Sequence, residues 1–385
     1  MSSNYLKNKS LCPLPFTGAI VHTDGTVKCC SISKDTLGNV NSEPLEQILR
    51  TSEKLKSIRR EMLDQKFPDN CSHCYAKEKH HDTLDFENVS NRLYHIKILK
   101  DSPFKLYNDE HHFELQQMDL RWRNTCNFAC VYCDSMFSSV WAQFEGKSDK
   151  MSNNAMQQTF DFVKDNIKNL KTIYMAGGEP FLIKENLKII DLVLKENPNL
   201  LLRINTNLSI LTPKIYQKLQ QLKNVHWIVS AESTDDRFAY IRWPGKYQTF
   251  TDNMKKIQKL PHKVSINMTW NIFCAENILD FIDNMIENGV HPNQFIMNSL
   301  DEPPEQNVLN ITKKQRDKIL QKIKTKLENT DRKFFLYKVY KEMVSLLQRP
   351  LLDTNRSVLY NTLADFDKKR KLNSKEVFPE LYEEG

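Results

Sequence analysis

The sequence lacks the features that mark membrane-spanning and secreted proteins. Its 385 residues contain no run of about eighteen apolar residues, the length that a transmembrane helix needs. The first residues, MSSNYLKNKSLCPLPF, show no apolar core of a secretory signal. These absences predict a soluble, cytoplasmic protein with no membrane partner.

The sequence also has no signature of an RNA- or DNA-binding motif, although its formal net charge is +7. The excess positive charge is spread along the chain, and the one compact basic run is Lys368, Lys369, Arg370 and Lys371. We interpret this run as the solvated end of a helix. Basic charge therefore does not indicate nucleic acid as a partner.

Strands and amphipathic helices alternate from about residue 113 onward. Apolar runs predict six strands, at 115–120, 172–176, 200–205, 225–230, 264–270 and 295–297. One of the helices between them begins with Thr212 as N-cap and Pro213 as the first helical residue. Such alternation implies parallel strands with helices outside, and six units are fewer than the eight of a closed barrel. The predicted fold is therefore α/β, a partial (β/α)6 barrel of TIM type.

The barrel is assigned to residues 113–330, and three further segments surround it. Residues 1–80 are predicted to form a small domain of turns and short strands, with a hairpin turn at Asp24-Gly25 and a helix from Glu43 to about Gln65. Residues 81–112 are charged and are predicted to be a linker. Residues 331–385 are predicted to form two or three helices and an acidic tail.

Cysteine is the most informative residue type. The chain has nine cysteines, an odd number, and without a secretory signal a disulfide framework is not expected. Eight fall in two groups, at positions 12, 29, 30, 71 and 74 and at positions 126, 130 and 133. The ninth, Cys274, follows an apolar strand and is predicted to be a core residue. The two groups indicate metal-bound thiolates in a reducing compartment.

The second group, Cys126-x3-Cys130-x2-Cys133, comes directly after the first barrel strand. Three thiolates at these intervals on one loop can converge on one face of a cubane iron–sulfur cluster. A [4Fe–4S] cluster normally takes four thiolates, so three leave one iron open to a non-protein ligand. Zinc held by three cysteines and a water is the alternative, although zinc sites usually use paired CxxC motifs.

Two features beside this spacing strengthen its resemblance to the radical S-adenosylmethionine (SAM) superfamily. Tyr132 precedes the last cysteine, and Gly177-Gly178-Glu179-Pro180 follows the second strand, similar to the CxxxCxxC and GGEP motifs of that family. The resemblance implies that Cys126, Cys130 and Cys133 hold the catalytic cluster. It also implies that the GGEP segment binds the methionine amino group of SAM.

Further site residues are implied by the same resemblance. In the family, strand ends hold the ribose and methionine parts of SAM, and an Ile-Arg segment supplies an arginine for the methionine carboxylate. The corresponding residues of this chain are Tyr132, Asn207, Ser230, Glu232 and Arg242. Many relatives carry Asp at the position of Glu232. A guanidinium fork also suits a carboxylate on physical grounds.

The first group of cysteines resembles a SPASM/twitch module, which carries an auxiliary [4Fe–4S] cluster. The matching segments are Cys-Pro-Leu-Pro-Phe, Asp-Gly-Thr-Val-Lys-Cys-Cys and Cys-Ser-His-Cys. The resemblance implies ligation by Cys12, Cys30, Cys71 and Cys74, with Cys29 as an alternative to Cys30. A zinc site formed by the same four cysteines stays open. In many relatives the module follows the barrel, whereas here it precedes the barrel.

The resemblance implies a radical SAM oxidoreductase. Such an enzyme reductively cleaves SAM to a 5′-deoxyadenosyl radical, which abstracts hydrogen from a peptide, protein or small-molecule substrate. The auxiliary cluster would take up or relay an electron, and a flavodoxin or ferredoxin would be the electron donor. The alternative from another class is a non-catalytic iron–sulfur electron carrier. No winged-helix segment that binds a leader peptide is evident, which weighs slightly against peptide substrates.

Overall fold

The computed structural model describes residues 8–79, 90–98, 109–147, 151–352 and 356–383. The chain divides into two compact units, which are treated separately: Met1–Asn124 with Asp149–Arg203, and Thr125–Ser148 with Ile204–Gly385. Residues 81–89 and 99–108 of the predicted linker lie outside the described residues, and the domain boundaries at 80, 112 and 330 stay predictions. Among the described residues, no helix is both long enough and apolar enough to cross a membrane.

The described residues form strands and helices with the following bounds. The strands are β1 (Gly18–Val21), β2 (Thr26–Lys28), β3 (Gly38–Asn39), β4 (Gln117–Leu120), β5 (Thr172–Met175), β6 (Leu201–Thr206), β7 (Val225–Ser230), β8 (Lys263–Trp270) and β9 (Phe295–Ser299). The α-helices are α1 (Leu14–Thr17), α2 (Leu45–Thr51), α3 (Glu53–Leu63), α4 (Ser72–Lys79), α5 (Asn91–Ile98), α6 (Ser139–Glu145), α7 (Asn153–Asp165), α8 (Lys184–Glu196), α9 (Pro213–Gln220), α10 (Asp235–Ile241), α11 (Tyr247–Ile257), α12 (Ile278–Glu287), α13 (Lys313–Glu328), α14 (Phe335–Leu347), α15 (Arg356–Arg370) and α16 (Ser374–Val377).

Strands β4 to β9 alternate with helices along the chain. β4 pairs in parallel with β5, and β8 pairs in parallel with both β7 and β9. The strand order is β3-β2-β1-β4-β5 in the first unit and β7-β8-β9 in the second, and β6 begins in one unit and ends in the other. Helix α9 begins as predicted, because the Thr212 hydroxyl accepts the N–H of Ile215. The predicted α/β class, with six strand–helix units and helices at the C-terminal end, is confirmed.

The N-terminal strands extend the sheet of the first unit. β1 and β2 form the predicted antiparallel hairpin, and Gly25 in its turn has a φ of +84°. β1 also pairs in parallel with β4, with Gly18 opposite Gln117. This pairing was not predicted, because no local pattern specifies which distant strand lies beside β1. It joins the N-terminal cysteine segment to the strand that precedes the CxxxCxxC motif.

The single helix predicted from Glu43 to about Gln65 is in fact two helices, α2 and α3. Ser52 separates them with a ψ of 112°, which lies outside the helical range. Both helices bury their predicted apolar side chains, which are Leu45, Ile48, Leu49, Leu55, Ile58 and Met62. The break at Ser52 changes the direction of the chain between the two apolar stripes. Cys274 is 0% exposed, which confirms its prediction as a core residue.

Candidate active site

The three cysteines of the CxxxCxxC motif lie on an irregular loop in the second unit, residues 125–134, which we call the cysteine loop. Its backbone is bonded to the chain at the end of α10. The Ala129 N–H donates to the Trp243 carbonyl at 2.7 Å, and the Val131 N–H donates to the Ile241 carbonyl at 2.9 Å. These two bonds fix the middle of the loop, between the first and last cysteine.

Helix α6 contacts the cysteine loop through side chains that sequence reasoning missed. Trp141 Nε1 donates to the Cys130 carbonyl at 2.9 Å. The Ser139 hydroxyl accepts the Cys126 N–H at 3.1 Å and donates to the Cys126 carbonyl at 3.0 Å. The available signal was the Ser138-Ser139 pair before an apolar stretch, a pattern typical of a helix start. A helix start directly after the motif places hydroxyl groups beside it.

The three thiols of the loop are partly buried, and that of Cys126 faces two hydrogen-bond donors. The Phe128 N–H and Asn207 Nδ2 lie 3.4 and 4.0 Å from Cys126 Sγ. Burial raises the pKa of Cys130 and raises that of Cys133 well above its ordinary value. Thiolates at these positions therefore need a compensating positive charge, which bound metal provides.

A buried ion pair lies beside the loop. Arg242 donates from Nε and Nη2 to the two carboxylate oxygens of Glu232, at 3.0 and 2.5 Å, and both side chains are almost fully buried. The Tyr132 hydroxyl donates to the same carboxylate at 3.1 Å. Arg242 Nη1 lies 4.0 Å from Cys130 Sγ. Burial alone would lower the pKa of Arg242, but the neighbouring Glu232, Tyr132 and Cys130 raise it, so the guanidinium stays charged.

Arg370, at the end of α15, is a second buried cation of this unit. It is 3% exposed, and its guanidinium carbon lies 4.8 Å from the ring centroid of Trp141 and 4.4 Å from that of Phe366. Nη1 donates to the Tyr240 carbonyl, whereas Nε and Nη2 have no hydrogen-bond partner among the described residues. The interpretation as a solvated helix end is wrong for Arg370, because the aromatic rings hold its guanidinium inside. Burial lowers the pKa of Arg370 to about 10, while the Cys130 thiolate is among the groups that raise it.

Two predicted ligand-binding residues lie at strand ends of the same unit. Asn207, directly after β6, donates to Asn127 Oδ1 at 3.2 Å and so contacts the cysteine loop. Ser230, the last residue of β7, donates to Asn205 Oδ1 at 3.4 Å. The structure therefore brings Asn207 to the loop and pairs Ser230 with an amide of the preceding strand.

The GGEP segment follows β5 in the first unit. Gly177 has a φ of +103°, and a Cβ at this position would lie 2.9 Å from the Arg123 carbonyl oxygen, so only glycine fits. The Gly178 N–H donates to the same carbonyl at 3.1 Å. Glu179 is 1% exposed, and its carboxylate accepts the Phe181 N–H at 3.4 Å. A buried carboxylate held by a tight turn is suited to bind a positively charged amine.

Five thiols are grouped in the N-terminal part of the first unit: Cys12, Cys29, Cys30, Cys71 and Cys74. Asn70 Nδ2 lies 3.9 Å from Cys29 Sγ and 4.0 Å from Cys71 Sγ. The apolar cluster that contains Cys12 packs against Cys30 and Cys71. The structure thus brings together the four cysteines that were predicted as ligands, with Cys29 among them.

The thiols of this group shift one another's pKa values. Burial and the nearby Cys29 and Cys74 raise the pKa of Cys71 to about 12. A hydrogen bond between the adjacent thiols lowers the pKa of Cys29 and raises that of Cys30. In the described part of the chain, no three Cys, His, Asp or Glu side chains meet tightly enough to hold a single metal ion.

Comparison with known families gives two matches. Residues 122–283 match the radical SAM superfamily, and residues 12–75 match SPASM, an iron–sulfur cluster-binding domain. Each match contains one of the two cysteine groups. Residues 122–283 are thus similar to radical SAM proteins and residues 12–75 to SPASM iron–sulfur domains, which confirms both predicted resemblances. No curated protein matches the chain.

Several solved structures resemble the chain at low identity. anSMEcpe with bound AdoMet and Cp18Cys peptide is 15% identical with a TM-score of 0.40, over 56% of this chain and 60% of that one. Streptococcus suis SuiB bound to precursor peptide SuiA is 15% identical with a TM-score of 0.41, over 78% and 67%. BtrN in complex with AdoMet and 2-DOIA is 18% identical with a TM-score of 0.27, over 38% and 56%. The chain thus spans about 60% of the anSMEcpe chain.

The residues present fit the cofactors of this family. Thiolates are the soft ligands that iron–sulfur clusters take. Arg370 has two buried guanidinium nitrogens without hydrogen-bond partners in the part of the chain that the structure describes, and its electrostatic neighbours include Cys130. A thiolate-bound cluster on the cysteine loop would add negative charge near this cation, beyond that of the neighbouring Asp365 and Asp367.

Proposed function

We propose that the chain is a radical SAM enzyme with two [4Fe–4S] clusters. The first is held by Cys126, Cys130 and Cys133, and the second by Cys12, Cys30, Cys71 and Cys74. SAM, bound at the cluster with one open iron, supplies a 5′-deoxyadenosyl radical for abstracting hydrogen from a substrate. The main support is the set of three thiols on one fixed loop, beside the buried cations Arg242 and Arg370.

The side chains around the cysteine loop set its charge and hold its shape. Arg242 faces Cys130 and, with Arg370, offsets the charge of the thiolates. Any contact of Arg242 with the methionine carboxylate would use Nη1 or the second N–H of Nη2, because Glu232 accepts one N–H each from Nε and Nη2. Tyr132 contributes a third hydrogen bond that orients Glu232.

The remaining predicted residues bind SAM itself in this proposal. Glu179, at the end of the GGEP segment, accepts the methionine amino group. Asn207, Ser230 and Glu232 are proposed to orient the ribose and methionine parts. Their positions at or directly after strand ends are those where barrel enzymes commonly bind ligands.

The N-terminal cysteines are proposed to hold the auxiliary cluster. Four protein thiolates leave no iron open, so this cluster would transfer electrons rather than bind SAM. Asn70 would donate a hydrogen bond to the Cys71 sulfur, and to Cys29 if that residue replaces Cys30; such bonds are one of the means by which proteins set a cluster's potential. Cys29 stays the alternative to Cys30. The proposed substrate is a peptide, protein or small molecule, and the proposed electron donor is a flavodoxin or ferredoxin.

Anaerobic reconstitution followed by addition of SAM and dithionite tests the proposal. The enzyme should form 5′-deoxyadenosine, whereas a non-catalytic electron carrier should form none. Metal analysis of the same sample should give about eight irons and eight sulfides per chain, the content of two [4Fe–4S] clusters. Stoichiometric zinc with about four irons would exclude the auxiliary cluster and leave the catalytic one.

A further inference from the structure

A cavity of about 180 Å³ lies within the first unit. At about 30 Å³ for each water, this is room for roughly six waters or for a short organic group. Its polar lining includes His95, Gln117, Asp119, Arg121, Tyr174 and Arg203. Cys29 and Cys30 also line it, whereas the other three N-terminal cysteines do not. The cavity therefore extends beyond the proposed auxiliary cluster site.

One of the two arginines in the lining is already neutralised. Arg121 donates from Nε and Nη2 to the two carboxylate oxygens of Asp119, both at 3.1 Å. Burial and the charge of Arg203 lower the pKa of His95 to about 3, so this imidazole carries no charge near neutral pH. With Asp119 and Arg121 paired and His95 neutral, Arg203 is the one unpaired cation among the described side chains that line the cavity.

Arg203 is held in place by two aromatic rings. Its guanidinium carbon lies 4.6 Å from the ring centroid of Tyr94 and 4.9 Å from that of Tyr174. These rings stabilise the cation by cation–π contact and restrict its motion. Its Nε is buried and has no hydrogen-bond partner among the described residues. A fixed guanidinium with a free donor edge is suited to a planar group with two oxygens.

We propose that this cavity binds a carboxylate group of an organic ligand through Arg203. The unpaired guanidinium of Arg203 can pair with the single negative charge of a carboxylate, whereas a phosphate dianion would lie near Asp119 without a second free cation. We take this ligand to be the substrate of the enzyme. That assignment rests on the proposed function, whereas carboxylate binding in the cavity does not. The carboxylate belongs either to a small organic acid or to an acidic side chain of a peptide.

Titration calorimetry on the anaerobically reconstituted protein, at constant ionic strength, tests the proposal. The probes are butyrate for a free acid, N-acetyl-glutamate N-methylamide for a peptide side chain, and inorganic phosphate. At least one of the two carboxylate probes should bind. The probe that binds more tightly shows whether the natural ligand is a free acid or a peptide side chain. Arg203→Gln should weaken that binding by about tenfold or more. The matched control Arg332→Gln, at an exposed arginine, should leave it unchanged.

A second variant separates fork recognition from simple charge attraction. Arg203→Lys keeps the positive charge but loses the fork, so carboxylate affinity should again fall. Unchanged affinity in this variant would overturn the proposal, as would tighter binding of phosphate or no binding of either carboxylate. Iron content and 5′-deoxyadenosine formation of the wild type are measured in parallel. A wild type that binds the carboxylate but contains no iron–sulfur clusters or forms no 5′-deoxyadenosine would refute the proposed function and leave the carboxylate site standing.

Discussion

Glu232 and Arg242 form a two-point ion pair in the interior of the second unit, with oxygen–nitrogen distances of 3.0 and 2.5 Å. The pair fixes the guanidinium so that Nη1 lies 4.0 Å from Cys130 Sγ. The carboxylate at this strand end, which was predicted to contact SAM, therefore also positions a cation beside a proposed cluster ligand.

Breaking this pair should destabilise the protein strongly. Glu232→Gln leaves Arg242 buried without its counter-charge and should lower the free energy of unfolding by about 3–5 kcal/mol. Glu46→Gln makes the same chemical change in the exposed pair with Arg50, 2.9 Å apart, and should cost about 1 kcal/mol or less. Urea unfolding of both variants, followed by circular dichroism, measures the difference. Equal losses in the free energy of unfolding would mean that the buried pair stabilises the protein no more than the exposed pair does.

Gly177 should not tolerate a side chain. Gly177→Ala combines a strained φ with a Cβ placed 2.9 Å from the Arg123 carbonyl oxygen. Gly289→Ala has a comparable φ of +88° but no atom within 4 Å of its Cβ, so it isolates the backbone strain. Backbone strain alone should lower the free energy of unfolding by about 1 kcal/mol. Thermal unfolding should show a larger loss of stability for Gly177→Ala than for Gly289→Ala. Gly177→Ala should also bind SAM more weakly, because Glu179 shifts. A similar loss for the two variants would show that the close contact is relieved without cost.

Local patterns in the sequence predicted the elements well. Val225–Ser230 is a strand with the predicted bounds, and the Thr212-Pro213 pair starts a helix as expected. Contacts between distant segments could not be predicted in the same way. Nothing near Arg370 in the sequence shows that Trp141, more than two hundred residues earlier, covers it. The two cysteine motifs identify candidate cluster ligands, and these assignments stay predictions. Which side chains pack against those ligands depends on tertiary structure, which the motifs do not encode.

The charge of Arg370 should influence the cluster on the cysteine loop. Removing a nearby cation disfavours the more negative, reduced form of the cluster, so Arg370→Gln should make its reduction potential more negative. The expected shift is tens of millivolts, where about 59 mV corresponds to a tenfold change for one electron. Potentiometric titration followed by electron paramagnetic resonance measures it. The control Lys368→Gln, at an exposed lysine of the same basic run, should leave the potential unchanged. A shift of the same size in both variants would refute a specific effect of Arg370.

The two cysteine groups should be separable. Replacing both Cys71 and Cys74 by Ala should remove about four of eight irons and leave some 5′-deoxyadenosine formation. Cys274→Ala, at a core cysteine outside both groups, should keep all the iron. Circular dichroism must show that the double variant is folded, because a small metal-binding domain can depend on its metal for folding. A folded double variant that keeps its catalytic cluster but forms no 5′-deoxyadenosine would place the N-terminal cluster on the path of electron input to the catalytic cluster, and would exclude that it only takes up an electron from the substrate.

The most direct measurement compares 5′-deoxyadenosine formation by the wild type and by Cys133→Ala, both reconstituted anaerobically and supplied with SAM and dithionite. The three thiols of the cysteine loop are the proposed ligands of the cluster with an open iron. The wild type should therefore form 5′-deoxyadenosine, while Cys133→Ala should form none and should have lost about four irons. Equal product from both proteins, or none from a wild type that contains its full iron, would contradict the assignment.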